Sequence, residues 1–176
     1  MRFKKITISG KICTGKTTLL ENLAKKLSWP TYLTGKVFRK YVLMENLTLE
    51  KAEEQNEALT KKIDGEVALM LKEDNNLIVD GWMSRLSANG QKDVLRVLLI
   101  CDDKIRYRRY AKRENLSEKE AMIKVEERQK NWFDKILEIH HIKADEFLNE
   151  KNYDLVIDTS YITPQAITKI VIKKLN

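Results

Sequence analysis

The 176-residue chain is 43% apolar and 34% charged, with 33 Lys and Arg against 26 Asp and Glu for a formal charge of +7, which excludes a disordered or collagen-like chain. Its length suits one core with no second folding unit, and no apolar run approaches the roughly 18 residues of a membrane span. Two cysteines, Cys13 and Cys101, without paired metal-ligand spacing exclude a disulfide framework and argue against zinc.

The opening residues alternate Phe3, Ile6 and Ile8 with polar side chains, a strand rather than a secretion signal, and end in Ser9-Gly10. Leu19, Leu20, Leu23 and Leu27 then recur at helical spacing over 16–27, until Trp29-Pro30 breaks the pattern. Thr31 to Leu33 reads as a brief second strand, and Thr34-Gly35 leads into a helix through Val37, Tyr41 and Met44. A further helical pattern runs from Thr48 to about Leu71. Thr48 is its N-cap candidate, Lys51 stands where a Glu would complete a capping box, and Gly65 interrupts it at some cost in stability. Asn75-Asn76 ends it.

Leu77 to Val79 and Val94 to Cys101 are continuous apolar runs of strand length, suited to strands covered on both faces of a parallel sheet. The stretch 81–92 between them reads as a loop with a short helix. Asp102 opens a helix through the densest basic stretch, Lys104 to Arg113, and Ser117 to Glu120 form a capping box for a long helix to about Ile139. Tyr153 to Ile157 reads as the last strand. Thr163 then caps a terminal helix with Pro164 in its first turn and Ile167, Ile170, Val171 and Leu175 on its apolar face. Five strands alternating with helices predict an α/β fold with a parallel sheet and right-handed crossovers.

Between the first strand and the first helix stands Gly10-Lys11-Ile12-Cys13-Thr14-Gly15-Lys16-Thr17, which fits G-x-x-x-x-G-K-[ST]. The two glycines let the backbone curl around a phosphate, the amides of 13–17 point inward, and the helix dipole attracts the anion. Lys16 is expected to reach the β and γ phosphates of ATP, Thr17 to ligate Mg2+, and Thr18 to bond the α phosphate. Asp80, at the end of an apolar strand, is a second candidate Mg2+ ligand. Cys13 lies near a helix N-terminus and Lys16, which favours its thiolate provided apolar packing does not cover it. His140-His141 has no i, i+4 partner and no carboxylate neighbour in sequence, which points to helix-end charge complementarity rather than metal binding. Trp29, Trp132 and Phe133 favour packing roles, while Trp82 stands among candidate site residues.

The order of these features resembles that of the nucleoside monophosphate kinases, most closely the short archaeal-type cytidylate kinases, over nearly the whole chain. Beyond the phosphate loop, Thr34-Gly35-Lys36-Val37-Phe38-Arg39 is similar to the family's acceptor element, and Ile63-Asp64 and Val79-Asp80-Gly81 are further points of likeness. Arg106, Arg109 and Arg113, followed by Glu127-Arg128, look like the arginine-bearing lid. The run Tyr153 to Ser160 looks like the last strand.

The resemblance implies an α/β P-loop NTPase fold in a single domain over 1–176: a five-stranded parallel sheet flanked by helices, an acceptor-binding helical segment about 35–72, and a short lid about 106–128. It implies phosphoryl transfer from ATP, with Mg2+, to a nucleoside monophosphate, CMP or dCMP. Lys16, Arg113 and Arg128 become catalytic candidates; Gly10 to Thr18, Arg106 and Arg109 donor-binding candidates; Thr34, Gly35, Arg39, Asp64 and Gly81 acceptor-binding candidates. Arg106, Arg109 and Arg113 share one helix face, so guanidinium forks converge where negative charge gathers. The chain departs from the family at Trp82, where Arg is usual, and at Gly65, where a polar residue is expected; Arg85 replaces the missing arginine, or the acceptor differs. The expected protein is a cytoplasmic monomer without a membrane partner, with nucleic acid a possible but not the favoured partner. Two other readings stay open: a kinase for another nucleotide or small alcohol, and a nucleotide-switched RNA or ribosome-assembly factor, argued from the +7 charge.

Overall fold

Strand β1 (Lys5–Gly10) is buried along its whole length because strands flank it on either side and helices cover both its faces. A computed structural model describes residues 2–44 and 57–176 of the chain. After β1 come α1 (Lys16–Leu27), β2 (Thr31–Leu33), α2 (Thr34–Met44), α3 (Glu57–Met70), β3 (Leu77–Asp80) and the single turn α4 (Ser84–Ser87). The chain continues through β4 (Val94–Ile100), α5 (Asp103–Glu114), α6 (Glu118–His140), α7 (Ala144–Leu148), β5 (Leu155–Asp158) and α8 (Pro164–Leu175). All strand pairs are parallel, in the order β2-β3-β1-β4-β5. The expected fold class is therefore the one observed.

The alternation of side chains sorts the apolar runs onto two faces. Ile6, Ile8, Ile78, Leu95, Val97 and Leu99 pack with Leu19, Leu20 and Leu23 of α1 and with Ile167, Val171 and Leu175 of α8. Leu77, Val79 and Val94 face the other way, onto Val67 and Leu71 beneath α3 and onto Ala88. That two-sided cover is why β3 and β4 read as continuous apolar runs. Tyr110, Ala111, Ala121 and Val125 of α5 and α6 form a smaller core around Ile12 of the phosphate loop.

Helix ends follow local chemistry. Asp102 caps α5 by accepting from the amides of Lys104 and Ile105, Ser117 and Glu120 complete the capping box of α6, and Thr163 caps α8. Helix α1 stops at Ser28, left-handed at φ 55°, with Pro30 two residues beyond. The sequence pattern assigns no element between the end of α6 and the last strand, whereas α7 and a 3-10 turn (Glu150–Asn152) occupy that segment, and β5 begins at Leu155 rather than Tyr153. Tyr153 is drawn off by its hydroxyl, which donates to the Phe147 carbonyl at 3.0 Å, and the Asp154 carboxylate accepts from the Arg96 amide at 2.8 Å. The expected N-cap Thr48 and its partner Lys51 lie outside the described residues. Among the described residues no helix is long and apolar enough to cross a membrane.

Candidate active site

With β1 central and the chain turning to β3 on one side and β4 on the other, a crevice opens at the C-terminal edge of the sheet, the usual ligand position in open α/β folds. The loop after β1 lines it. A side chain on Gly10, at φ 148°, would put its Cβ 2.4 Å from the Leu99 carbonyl oxygen, so this approach of loop to sheet requires glycine. Gly15 takes φ 96° at the N-cap of α1, and Cys13 is also left-handed at φ 63°. The hydroxyl of Thr14 donates to the Lys11 carbonyl at 2.9 Å, closing the curl.

Lys16 donates to the carbonyls of Gly10 at 2.8 Å and Lys11 at 2.9 Å, and its ammonium lies 5.2 Å from the Trp82 ring centre. Beside it, the Thr17 hydroxyl donates to Oδ2 of Asp80 at 2.9 Å. The parallel register that sets Ile8 opposite Asp80 delivers this carboxylate to the loop. Burial pushes the Lys16 ammonium down and the Asp80 carboxyl up, and each opposes the other's shift by attraction. A hydroxyl and a carboxylate are hard oxygen donors that suit Mg2+. Among the described residues no group of three or more His, Cys, Asp or Glu is placed to hold a metal ion.

These groups line a cavity of about 420 Å³, within the ordinary range for small-molecule sites. Helix α2 contributes Gly35, Phe38 and Arg39, α3 contributes Thr60 and Asp64, and α5 and α6 contribute Arg109, Arg113, Arg128 and Trp132. A second cavity of about 320 Å³ shares Gly15, Thr18 and Arg109 with the first and is walled by Thr14, Thr159, Ile162 and Pro164. The Arg109 guanidinium donates to the carbonyls of Cys13 and Thr159 and to the Thr159 hydroxyl, tying the phosphate loop to the segment after β5.

Several expected site residues stand elsewhere. Arg106 is fully buried, with its guanidinium spent on Asp103, the Ile12 carbonyl and Gln129, and it lines neither cavity. It sits under the loop; Arg109, one turn on, is the arginine that faces the cavities. Arg85 also lies outside both cavity walls, with its guanidinium 5.6 Å from the Tyr153 ring centre. Gly81 is buried beneath Thr34, where an added Cβ would come within 2.8 Å of that side chain; it permits the Thr34 hydroxyl to reach the Asp80 carbonyl at 3.1 Å rather than lining the cavity itself.

Cys13 packs against the small core around Ile12, and burial pushes its thiol up although Arg113, Lys16, Arg106 and Arg128 pull the other way. The condition for a thiolate, a side chain not covered by apolar packing, is therefore not met. Alkylation of Cys13 at neutral pH should run slower than that of a small free thiol and accelerate as pH rises. Peptide mass spectrometry over a pH series measures this; a neutral-pH rate above the free thiol's would show that the loop activates the sulfur after all.

The sequence reading overlooks the regular row that α6 lays along the cavity. Arg128, Trp132 and Ile136 follow at i, i+4 and all line it, with His140 next in the same row. His140 meets Asp64 of α3 at 2.9 Å, so its partner is a carboxylate distant in sequence rather than the helix end alone. Trp132 and Phe133 do pack, with Trp82 and Phe147, while Trp82 and Trp132 also face the cavity.

Comparison with known proteins agrees with this architecture. An AAA domain family model matches residues 6–132. The cytidylate kinase of Methanobrevibacter smithii is 34% identical over 173 residues, covering 97% of this chain and 97% of its own, and that of Sulfolobus acidocaldarius is 30% identical over 171 residues, covering 96% and 92%. The crystal structure of a gluconokinase from Sinorhizobium meliloti superposes with a TM-score of 0.63 at 14% identity, over 99% of this chain and 93% of that one, a likeness of fold. Identity at this level across almost the full length of both cytidylate kinases, on a sheet and phosphate loop of this form, means that the chain belongs to the cytidylate kinase family of P-loop proteins.

Proposed function

We infer that the protein is a nucleoside monophosphate kinase that moves the γ phosphoryl of ATP to CMP or dCMP, giving ADP and the nucleoside diphosphate. The observation that carries this reading is the meeting, around one cavity, of Lys16, the Thr17–Asp80 pair and arginines from α2, α5 and α6. A transferring phosphoryl brings two polyanions together, and catalysis then rests on positioning and charge stabilisation rather than on a strong base.

In this assignment the amides of 13–17 and Lys16 hold the donor phosphates, Thr18 the α phosphate, and the adenine lies in the second cavity between Arg109 and the Ile162-Pro164 wall. Thr17 and Asp80 would hold Mg2+, which when bound neutralises and orients the β and γ phosphates. Arg39, exposed on the rim of the cavity, takes the acceptor phosphate; Thr34, Gly35 and Asp64 complete that side. Arg113 and Arg128 supply charge to the transferring group from the lid, α5 and the start of α6, while α2 and α3 form the acceptor segment. The two free cysteines suit a reducing compartment, so we place the enzyme in the cytoplasm.

A panel of CMP, dCMP, UMP, AMP and GMP, each with Mg-ATP and read by ADP release, tests the reading. CMP or dCMP should turn over fastest, and Arg39→Ala should raise the KM of that acceptor by about tenfold or more while leaving the KM of ATP near wild type. ADP release with no monophosphate, or only with a small alcohol, would overturn the function. Unchanged acceptor kinetics in Arg39→Ala would remove that residue from the acceptor site.

A further inference from the structure

His140 is the last residue of α6, four residues beyond Ile136 and therefore on the face that lines the cavity. Its Nε2 lies 2.9 Å from Oδ2 of Asp64, which sits on α3 one turn after Thr60, and Asp64 and Thr60 line the same cavity. Both atoms are buried and neither makes an aligned hydrogen bond among the described residues, so the 2.9 Å approach of imidazole and carboxylate is the polar contact that each of them has. The two helices thus meet at this edge of the cavity through an imidazole–carboxylate contact, made by a carboxylate that the mechanism needs and an imidazole that it does not yet use.

We propose that His140 is a positioning residue for acceptor selection: it holds one oxygen of the Asp64 carboxylate so that the other is presented to the cavity, where it favours an acceptor nucleoside with an N–H or O–H donor. The proposal deepens the nucleotide-kinase reading and rests on it. Ionised Asp accepts hydrogen bonds only, whereas a protonated carboxyl also donates and loses that selectivity. Burial pushes the Asp64 carboxyl up, and the His140 contact opposes that shift. Without His140 the carboxyl is both free to rotate and easier to protonate, so the site loses its preference for donor-bearing acceptors while phosphate binding and Lys16 are untouched.

The experiment compares wild type, His140→Ala, His140→Gln, Asp64→Asn and the Ala/Asn double variant in steady-state assays with CMP, UMP and dCMP at saturating Mg-ATP, with melting curves alongside. His140→Ala should raise the KM for CMP about tenfold, with kcat within about twofold and the KM of ATP unchanged, the scale of one hydrogen bond to a charged group. Glutamine, whose Nε2 can donate to the same carboxylate, should restore most of the loss. The double variant should be no worse than Asp64→Asn, because both substitutions break one coupled pair.

A narrowed CMP-to-UMP ratio in His140→Ala supports the proposal with the base amino group as the donor read; a narrowed CMP-to-dCMP ratio supports it with the sugar 2′-hydroxyl. The proposal is overturned if His140→Ala keeps wild-type acceptor KM while Asp64→Asn does not, if the two substitutions add, or if glutamine rescues nothing. Should His140→Ala fail to fold, His140→Asn, too short to reach Asp64, takes its place against the glutamine variant under the same criteria. Wild-type protein inactive with every monophosphate would instead overturn the kinase reading beneath it, and an Asp64→Asn variant with wild-type acceptor kinetics would remove Asp64 from the acceptor site.

Discussion

Lys16→Ala should abolish phosphoryl transfer, cutting kcat by about 10²–10³-fold or more, with the fold left near wild type. The geometry separates the two effects. The ammonium bonds two loop carbonyls, those of Gly10 and Lys11, at the edge of an open cavity where water can replace it. Stability should therefore change by only about 1–3 kcal/mol, because the desolvation of the ammonium offsets part of what its two charged hydrogen bonds contribute. Transition-state charge on the β and γ phosphates has no such substitute. Single-turnover ADP formation and a melting curve on the same preparation measure the pair of outcomes. A folded Lys16→Ala protein that turns over at near-wild-type rate would eliminate the proposed site.

The phosphate loop was legible in the sequence because its physics is local: two glycines at left-handed positions, a lysine and a threonine opening a helix, all within eight residues. Asp80 was legible once a buried strand was assumed to end beside that loop, and the Thr17–Asp80 hydrogen bond is where that strand ends. Arg106 and Arg109 could not be told apart by spacing, since residues three apart share a helix face and only the third dimension decides which one goes beneath the loop. The Asp64–His140 contact joins residues on separate helices, α3 and α6, beyond the reach of any periodicity argument. Among the overlooked features, the α6 row of Arg128, Trp132, Ile136 and His140 did carry a readable signal, a spacing of four that packs a helix along a wall. For Cys13 the sequence supplied both opposing influences, nearby cations and apolar packing, but loop position could not say that packing against Ile12 and its neighbours outweighs the cations.

The difference between Arg106 and Arg109 has a measurable consequence. Arg106→Met should destabilise the protein by about 3 kcal/mol, lowering Tm by about 6–12 °C for a chain of this size. The half-exposed carboxylates of Asp103 and Glu126 can return to water when the guanidinium is lost, so they contribute little to that cost. The Ile12 carbonyl and the Gln129 side-chain oxygen cannot, because their bonds to Arg106 are buried. The shape of the buried aliphatic stem is largely kept by methionine, which confines the loss to the polar head. Because that head ties the phosphate loop to α5 and α6, ATP should bind more weakly as well, and weakening should track the loss of stability across Arg106→Lys and Arg106→Met. Arg109→Ala provides the contrast: facing both cavities, it should raise the KM of ATP about tenfold or more with a smaller drop in Tm. If Arg106→Met raised the KM of ATP at an unchanged Tm, Arg106 would be a nucleotide contact after all, and the burial that sets it apart from Arg109 would have no energetic meaning.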